Sequence, residues 1–309
     1  MKTRNILILA TSAIILAVVS FWIGQQAYSW LPPEAAAESI LVDRLFSFLV
    51  TLGAFIFLGV TGALTYSIIF HRAAKYDMSD GPSIEGNITL EIVWTAIPFV
   101  LVLWIALYSY QIYDQMSILG PMEHHHMSMG MKSAIAEPIS ETSETSKTAQ
   151  ISPERIPERI QVTAKQWAWV FNYPGQNISS TELHLPVNQR AYLTLRSEDV
   201  IHGFYIPAFR VKQDVIPNEI INFEFTPILE GKYRLRDSQY SGTYFAAMQA
   251  DVVVESPEKY QQWLELASKR EPSPAFNQAA SEYDRKSNQA INSGWVTVKP
   301  AQPPVVNYH

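Results

Sequence analysis

The sequence predicts a membrane α plus all-β chain: two or three transmembrane helices followed by a β-sandwich or barrel. Three observations carry this. Hydrophobic residues make up 48% of the 309, and they concentrate in the first 113 positions. Those positions contain three long runs without a charged side chain. From Ile160 onward the chain changes to short runs rich in β-branched and aromatic residues, separated by turn residues.

The uncharged runs are residues 6–24, 46–70 and 92–113. At about 1.5 Å per residue, each can cross a hydrocarbon core roughly 30 Å thick. Three in succession count against buried helices of a soluble protein. A removable signal peptide is the alternative for residues 1–30, because Lys2 and Arg4 precede the first run. The stretch Phe21-Trp22-Ile23-Gly24-Gln25-Gln26 is bulky where a cleavage site would fall. The small cluster Ala35-Ala36-Ala37 lies about three helical turns further on. An uncleaved anchor is therefore favoured, with residues 31–113 forming a helical hairpin. The chain has no cysteine, which excludes a lipid-modified one.

Orientation follows from basic residues. Lys2 and Arg4 flank the first run, and Arg72 and Lys75 follow the second. Both flanks are expected on the cytoplasmic side of a prokaryotic plasma or thylakoid membrane. Everything after Tyr113 then lies in the periplasm or lumen.

Residues 114–159 read as a linker, since neither MEHHHMSMGM nor SETSETSK has an apolar period that could bury a face. His124, His125 and His126 with Met122, Met127, Met129 and Met131 form a soft-ligand cluster able to capture copper. A polar linker without metal is the equal alternative.

Residues 160–256 form the β-domain. QVTAKQWAWVFNY, AYLTLRS, HGFYIPAFRVKQ, EIINFEFTP, GKYRLRD and AAMQADVVVE are strand-like, and Pro174-Gly175, Pro217-Asn218 and Glu230-Gly231 punctuate them. Trp167, Trp169 and Phe171 alternate as on one strand face. Residues 257–309 read as a short helix opened by Ser256 and Pro257, then a tail extended over another surface. Arg155 and Arg159 read as surface charges. The chain carries a net charge of −6 and no basic patch suited to nucleic acid.

Four stretches resemble subunit II of the haem-copper terminal oxidases. EIVWTAIP at 91–98 resembles the start of that family's last membrane helix, and KQWAWVFNYP at 165–174 its aromatic segment. DVIHGFYIPAFRVKQDVIPN at 199–218 resembles the segment with the first copper histidine. RDSQYSGTYFAAM at 236–248 occupies the place of the family's Cys-x-x-x-Cys-x-x-x-His-x-x-Met copper loop. The resemblance covers about residues 40–265. It implies a cupredoxin-like Greek-key β-barrel on membrane helices, bound to a catalytic subunit I and a subunit III, with membrane lipid around the helices. Haems and oxygen-reducing copper would belong to the catalytic subunit, and this chain would firmly hold no cofactor of its own.

The departures matter as much. Aligned on Gly242 and Met248, the two family cysteines become Asp237 and Ser241, and the second histidine becomes Phe245. Of the family's side-chain ligands, a histidine at His202 and a methionine at Met248 remain. A mixed-valence copper pair needs bridging thiolates, because soft sulfur holds copper(I). Gln239 replaces a glutamate that helps bind a nearby magnesium or manganese ion, and a neutral amide is a weaker ligand for a hard cation.

Two further residues take roles from the resemblance. Glu91 matches the glutamate at the mouth of a proton pathway; the plain alternative is a carboxylate on a helix N-terminus. Trp167 matches the tryptophan through which cytochrome c passes electrons to copper, and without that copper packing is the role left to it.

The expected function is subunit II of a respiratory oxidase fed by quinol, similar to cyanobacterial alternative oxidases and quinol oxidases. Residues 151–309 hold 17 acidic and 16 basic side chains, so no marked charge excess steers a soluble donor. One alternative keeps cytochrome c or a small copper protein as donor, passing electrons directly to haem. The other is a non-redox assembly or copper-delivery module using the His/Met linker.

Overall fold

The computed structural model describes residues 3–72, 76, 86–116, 159–287 and 298–309. The chain divides into two compact units, Met1–Pro33 with Ser39–Met116, and Glu34–Glu38 with Ser117–His309.

The first unit is helical. The three uncharged runs lie in α1 (Thr3–Gln26), α2 (Ala37–Phe70) and α3 (Ile88–Met116). All three are long and apolar enough to cross a membrane. At 34 residues α2 is about 51 Å long, well beyond one hydrocarbon thickness. Its first turns, with Glu38, Asp43 and Arg44, extend past the uncharged run.

Close approach joins α1 to α2. Ser47 donates to the Gly24 carbonyl at 2.8 Å, and a Cβ on Gly24 would lie 1.8 Å from Thr51 Oγ1. Only glycine fits, the usual device for helix packing where lipid provides no hydrophobic drive. Phe48 of α2 meets Trp104 of α3 edge-on at 5.0 Å. Pro98 sits inside α3 and donates nothing to the helical ladder.

The second unit is the β-domain. One sheet has the order β3 (Ile178–Ser180), β2 (Ala168–Tyr173), β1 (Ile160–Lys165), β5 (Ala191–Ser197), β8 (Ile221–Phe225). The other has the order β4 (Leu183–Pro186), β10 (Gln249–Glu255), β9 (Gly231–Asp237), β6 (His202–Ile206), β7 (Val211–Val215). Two pairings, β1 with β5 and β4 with β10, are parallel, as expected when Greek-key connections return strands beside earlier ones. The sheets face each other through Trp169, Phe204 and Phe223, whose rings lie 5.8 and 5.9 Å apart in turn.

Two predicted runs are hairpins rather than single strands. QVTAKQWAWVFNY folds at Gln166-Trp167, pairing Lys165 with Ala168. A two-residue turn shifts the period of two by one position, so the buried residues are Val162 and Ala164 before it and Trp167, Trp169 and Phe171 after it. HGFYIPAFRVKQ turns at the 3-10 segment Pro207–Phe209. The short strands β3 and β4 went unpredicted, being too short and polar to show alternation.

Arg159 is not a plain surface charge. It pairs at 3.0 Å with Glu224, whose side chain is buried, while Arg190 bridges Glu224 to the buried Glu38. Arg155 lies outside the described residues.

The tail also differs from the prediction. After α4 (Pro257–Ser268), capped by Ser256 as expected, the chain forms β11 (Ser273–Pro274), α5 (Gln278–Ser287) and β12 (Val305–Val306). It returns to its own domain: Asn307 bonds Ser179, and Tyr308 packs edge-on against Trp263 at 5.6 Å. Trp263 in turn stacks on His184 at 4.0 Å, so burial of these rings recruits the segment home.

Candidate functional site

Hairpin β6–β7, the end of β9 and the loop 238–248 bring His202, Asp237, Gln239 and Ser241 together. Phe204 pairs with Asp237 across β6 and β9, which sets His202 beside the start of the loop. His202 Nδ1 lies 2.8 Å from Asp237 Oδ2. Its other nitrogen, Nε2, lies 2.9 Å from Asp199 Oδ1. The side chains of His202 and Asp237 are fully buried, whereas that of Asp199 is 26% exposed.

Asp237 is saturated. Its Oδ1 accepts from Gly203 N at 2.7 Å and Gln239 N at 3.0 Å, and its Oδ2 accepts from Ser241 Oγ at 2.7 Å as well as facing His202. Asp199 accepts from Gln166 N and Val200 N, both at 2.7 Å. Gln239 donates its amide to Asp214 at 3.1 Å.

Met248 is buried in the core, and Phe245 packs edge-on against Tyr240 at 5.3 Å. Trp167 is only 2% exposed, and its indole nitrogen donates to the Ser241 carbonyl at 3.1 Å. Gly242 adopts φ +115°, and a Cβ there would lie 2.7 Å from the Trp167 ring. The tail covers this turn: Asn277 donates to the Trp167 carbonyl at 3.1 Å, and Ala301 N to Gln166 O at 2.7 Å.

Both ring nitrogens of His202 face carboxylate oxygens. A ring with one N–H would set a bare lone pair against one of them, so the geometry calls for both hydrogens. Burial alone would push the His202 pKa down; the hydrogen bonds and charges of Asp199 and Asp237 outweigh it and hold the pKa above the ordinary histidine value. For Asp199, burial pushes upward, but hydrogen bonds from His202, Gln166 N and Val200 N hold it below the usual carboxylate range.

The signs predict a stability plateau. The raised histidine stabilises fully below its unfolded value of 6.5 and loses that contribution as pH rises through its folded value. The lowered aspartate stabilises above its unfolded value of 3.8 and loses that as pH falls through its folded value. The β-domain should therefore melt at a higher temperature at pH 5.5 than at pH 8.5, judged by calorimetry on the purified complex (both values set about one unit from 6.5 or further). His202→Gln should flatten that difference; an unchanged slope would acquit His202.

Glu91 stands in the first turn of α3, in the other unit, with an exposed side chain. Asn87 caps this helix by accepting from Leu90 N at 3.2 Å. The linker residues His124, His125, His126, Met127 and Met129 lie outside the described residues. Among the described residues, no group of three or more His, Cys, Asp or Glu is placed to hold a metal ion. Asp199 was not among the candidates from sequence. A carboxylate three positions before a histidine is its one local signal, and its partner Gln166 is 33 residues away.

Comparison with known proteins agrees with this layout. The family model for the cytochrome c oxidase subunit II transmembrane domain matches residues 20–112, and the model for its periplasmic domain matches residues 178–256. Cytochrome c oxidase subunit 2 of Synechocystis is 34% identical over 277 residues, covering 85% of this chain and 83% of the relative. Its counterpart in Thermostichus vulcanus is 35% identical, covering 82% and 83%. Quinol oxidase subunit 2 of Bacillus spizizenii is 22% identical, covering 84% and 72%. Three apolar helices lead into a periplasmic β-domain of the same order, and the chain belongs to the cytochrome c oxidase subunit II family of the haem-copper terminal oxidases.

Proposed function

We propose that this subunit serves a quinol-fed terminal oxidase and holds no binuclear copper centre. The observation that carries the reading is the closed cluster around His202. A ligating histidine must offer a nitrogen lone pair, and here both nitrogens are engaged with carboxylates at 2.8 and 2.9 Å. The chain has no cysteine to supply a bridging thiolate. The residues present therefore do not fit a copper pair, and no electron step is assigned to them. A quinol delivers electrons from within the bilayer, so an external relay is dispensable. Burial of Trp167 against Ser241, Gly242 and Tyr244 supports the same reading, because a soluble donor would find that ring covered.

The test compares donors. The purified complex should consume oxygen at least about tenfold faster with reduced quinol than with reduced cytochrome c, a difference of roughly 1.4 kcal/mol in barrier. Comparable or faster turnover with cytochrome c would refute the quinol reading. The 34% and 35% identical relatives are named cytochrome c oxidase subunit 2, which favours the alternative of cytochrome c as donor.

Glu91 is assigned to proton supply, supported by its place as an ionisable side chain at the head of a membrane helix. Glu91→Gln should lower turnover by about tenfold or more while the complex still assembles, in line with the usual weight of one acid–base group. Unchanged turnover across the pH range would leave Glu91 as a helix-terminal charge.

A further inference from the structure

We propose that Asp199 is the positioning residue that holds the loop 238–248 in place without a metal. This rests on the reading that the domain carries no copper centre. The hydrogen bonds form a closed ring of five residues. Asp199 joins His202 Nε2 at 2.9 Å, His202 Nδ1 joins Asp237 at 2.8 Å, and Ser241 Oγ donates to Asp237 at 2.7 Å. Gln166 Nε2 then donates to Ser241 O at 2.6 Å, and Gln166 N returns to Asp199 at 2.7 Å.

The ring ties three segments that are far apart in sequence: the turn at 166–167, the stretch 199–202 and the loop from Asp237. A domain without cysteine has no sulfur bridge, covalent or through a metal, to do this. The loop's backbone bonds pin its ends, Ser238 N to Gly203 O and Asp237 N to Met248 O. Ser241, at the middle, is reached from Asp199 along both arms of the ring. The side-chain hydrogen bonds of Asp199 go to Gln166, Val200 and His202 and to no loop residue, so its hold on the loop passes through His202 or Gln166.

Charge-assisted bonds to a part-buried carboxylate are the strong members of such a ring, and removing their acceptor orphans three donors. The imidazole is wedged between two acceptors and edge-on to Trp169 at 6.1 Å, so it has little freedom to compensate.

Hydrogen exchange on the full complex tests this. The amides of Ser238, Gln239 and Phe245 are bonded at 3.0, 3.0 and 3.2 Å and report loop order. Asp199→Ala should speed their exchange by about tenfold or more, the weight of one charge-assisted bond. Amides in β1, β5 and β10 should stay within about twofold. His202→Gln should reproduce the pattern, and Asp199→Asn, which keeps one acceptor oxygen, should fall between. Should Asp199→Ala not assemble, Asp199→Asn decides alone by the same loop-against-strand contrast. An unaffected loop, or equal acceleration in all strands, would overturn the proposal. The near-infrared band and multi-line paramagnetic signal of a mixed-valence copper pair test the underlying reading separately in the wild-type complex. Either would sink that reading whatever the exchange shows, and the single copper of the catalytic subunit gives neither.

Discussion

Asp237→Ala should cost the β-domain about 3–5 kcal/mol, the range for removing one partner of a buried ion pair. The carboxylate is fully buried and meets three hydrogen-bond donors besides His202. Its loss strands the imidazole against a cavity and orphans Gly203 N and Gln239 N, each costly when buried. A drop of at least about 10 °C in the domain's melting temperature follows. Asp237→Asn keeps one acceptor oxygen and should lose about half as much. Glu198→Ala is the contrast, since its pair with Lys165 is 42% and 52% exposed and should be worth under about 1 kcal/mol. If Asp237→Ala melts within about 2 °C of wild type, the cluster contributes little and its hydrogen bonds are incidental.

What was legible in the sequence divides along physical lines. The membrane helices were legible because lipid demands uncharged runs of a set length, and α1, α2 and α3 contain all three. Strands such as β5 and β8 were legible because alternate residues face the core. The turn at Gln166-Trp167 was not, because its one mark is a single-residue shift of the buried positions, from Val162 and Ala164 to Trp167 and Trp169, with no glycine or proline at the turn to announce it. The fold-back of the tail was not, because Tyr308 and Trp263 are ordinary aromatics until their rings meet at 5.6 Å.

The site was half legible. Family register placed His202, Asp237 and Ser241 in one neighbourhood, and the structure brings them within hydrogen-bonding distance. Register identified Asp237 and Ser241 in place of the thiolates, yet it was silent on how they would bond. The replacement is a set of charge-assisted bonds between positions 35 residues apart, and no local pattern announces such a pairing. Asp199 shows this most plainly. It bonds the ring nitrogen opposite Asp237, a relation that exists only once β6 and the turn after β5 are folded.

Restoring the family's ligand types should restore copper. The changes are Asp237→Cys, Gln239→Glu, Ser241→Cys and Phe245→His, made together in the full-length subunit. The structure adds a reason to expect success. Removing Asp237 frees His202 Nδ1, while Asp199 still accepts from Nε2 at 2.9 Å, the carboxylate–histidine arrangement that orients metal ligands. Met248 and Gly242 stay in register, and Gly242 keeps the φ of +115° that lets the loop pass Trp167. The metal-free variant should be less stable than wild type, since thiols accept poorly from Gly203 N and Gln239 N. Copper should reverse that loss, because binding only the folded state stabilises it. Two coppers per chain, a near-infrared band and a multi-line paramagnetic signal are the expected readout in the variant, with neither signal in wild type. Adding Asp199→Ala should then weaken copper binding by about ten- to a hundredfold, the usual weight of an orienting carboxylate. A variant that folds yet takes up no copper would mean that Asp237 and Ser241 do not stand where the family's cysteines do. Either signal in the wild-type protein would show that copper binds despite the closed cluster, and the quinol reading would lose its main support.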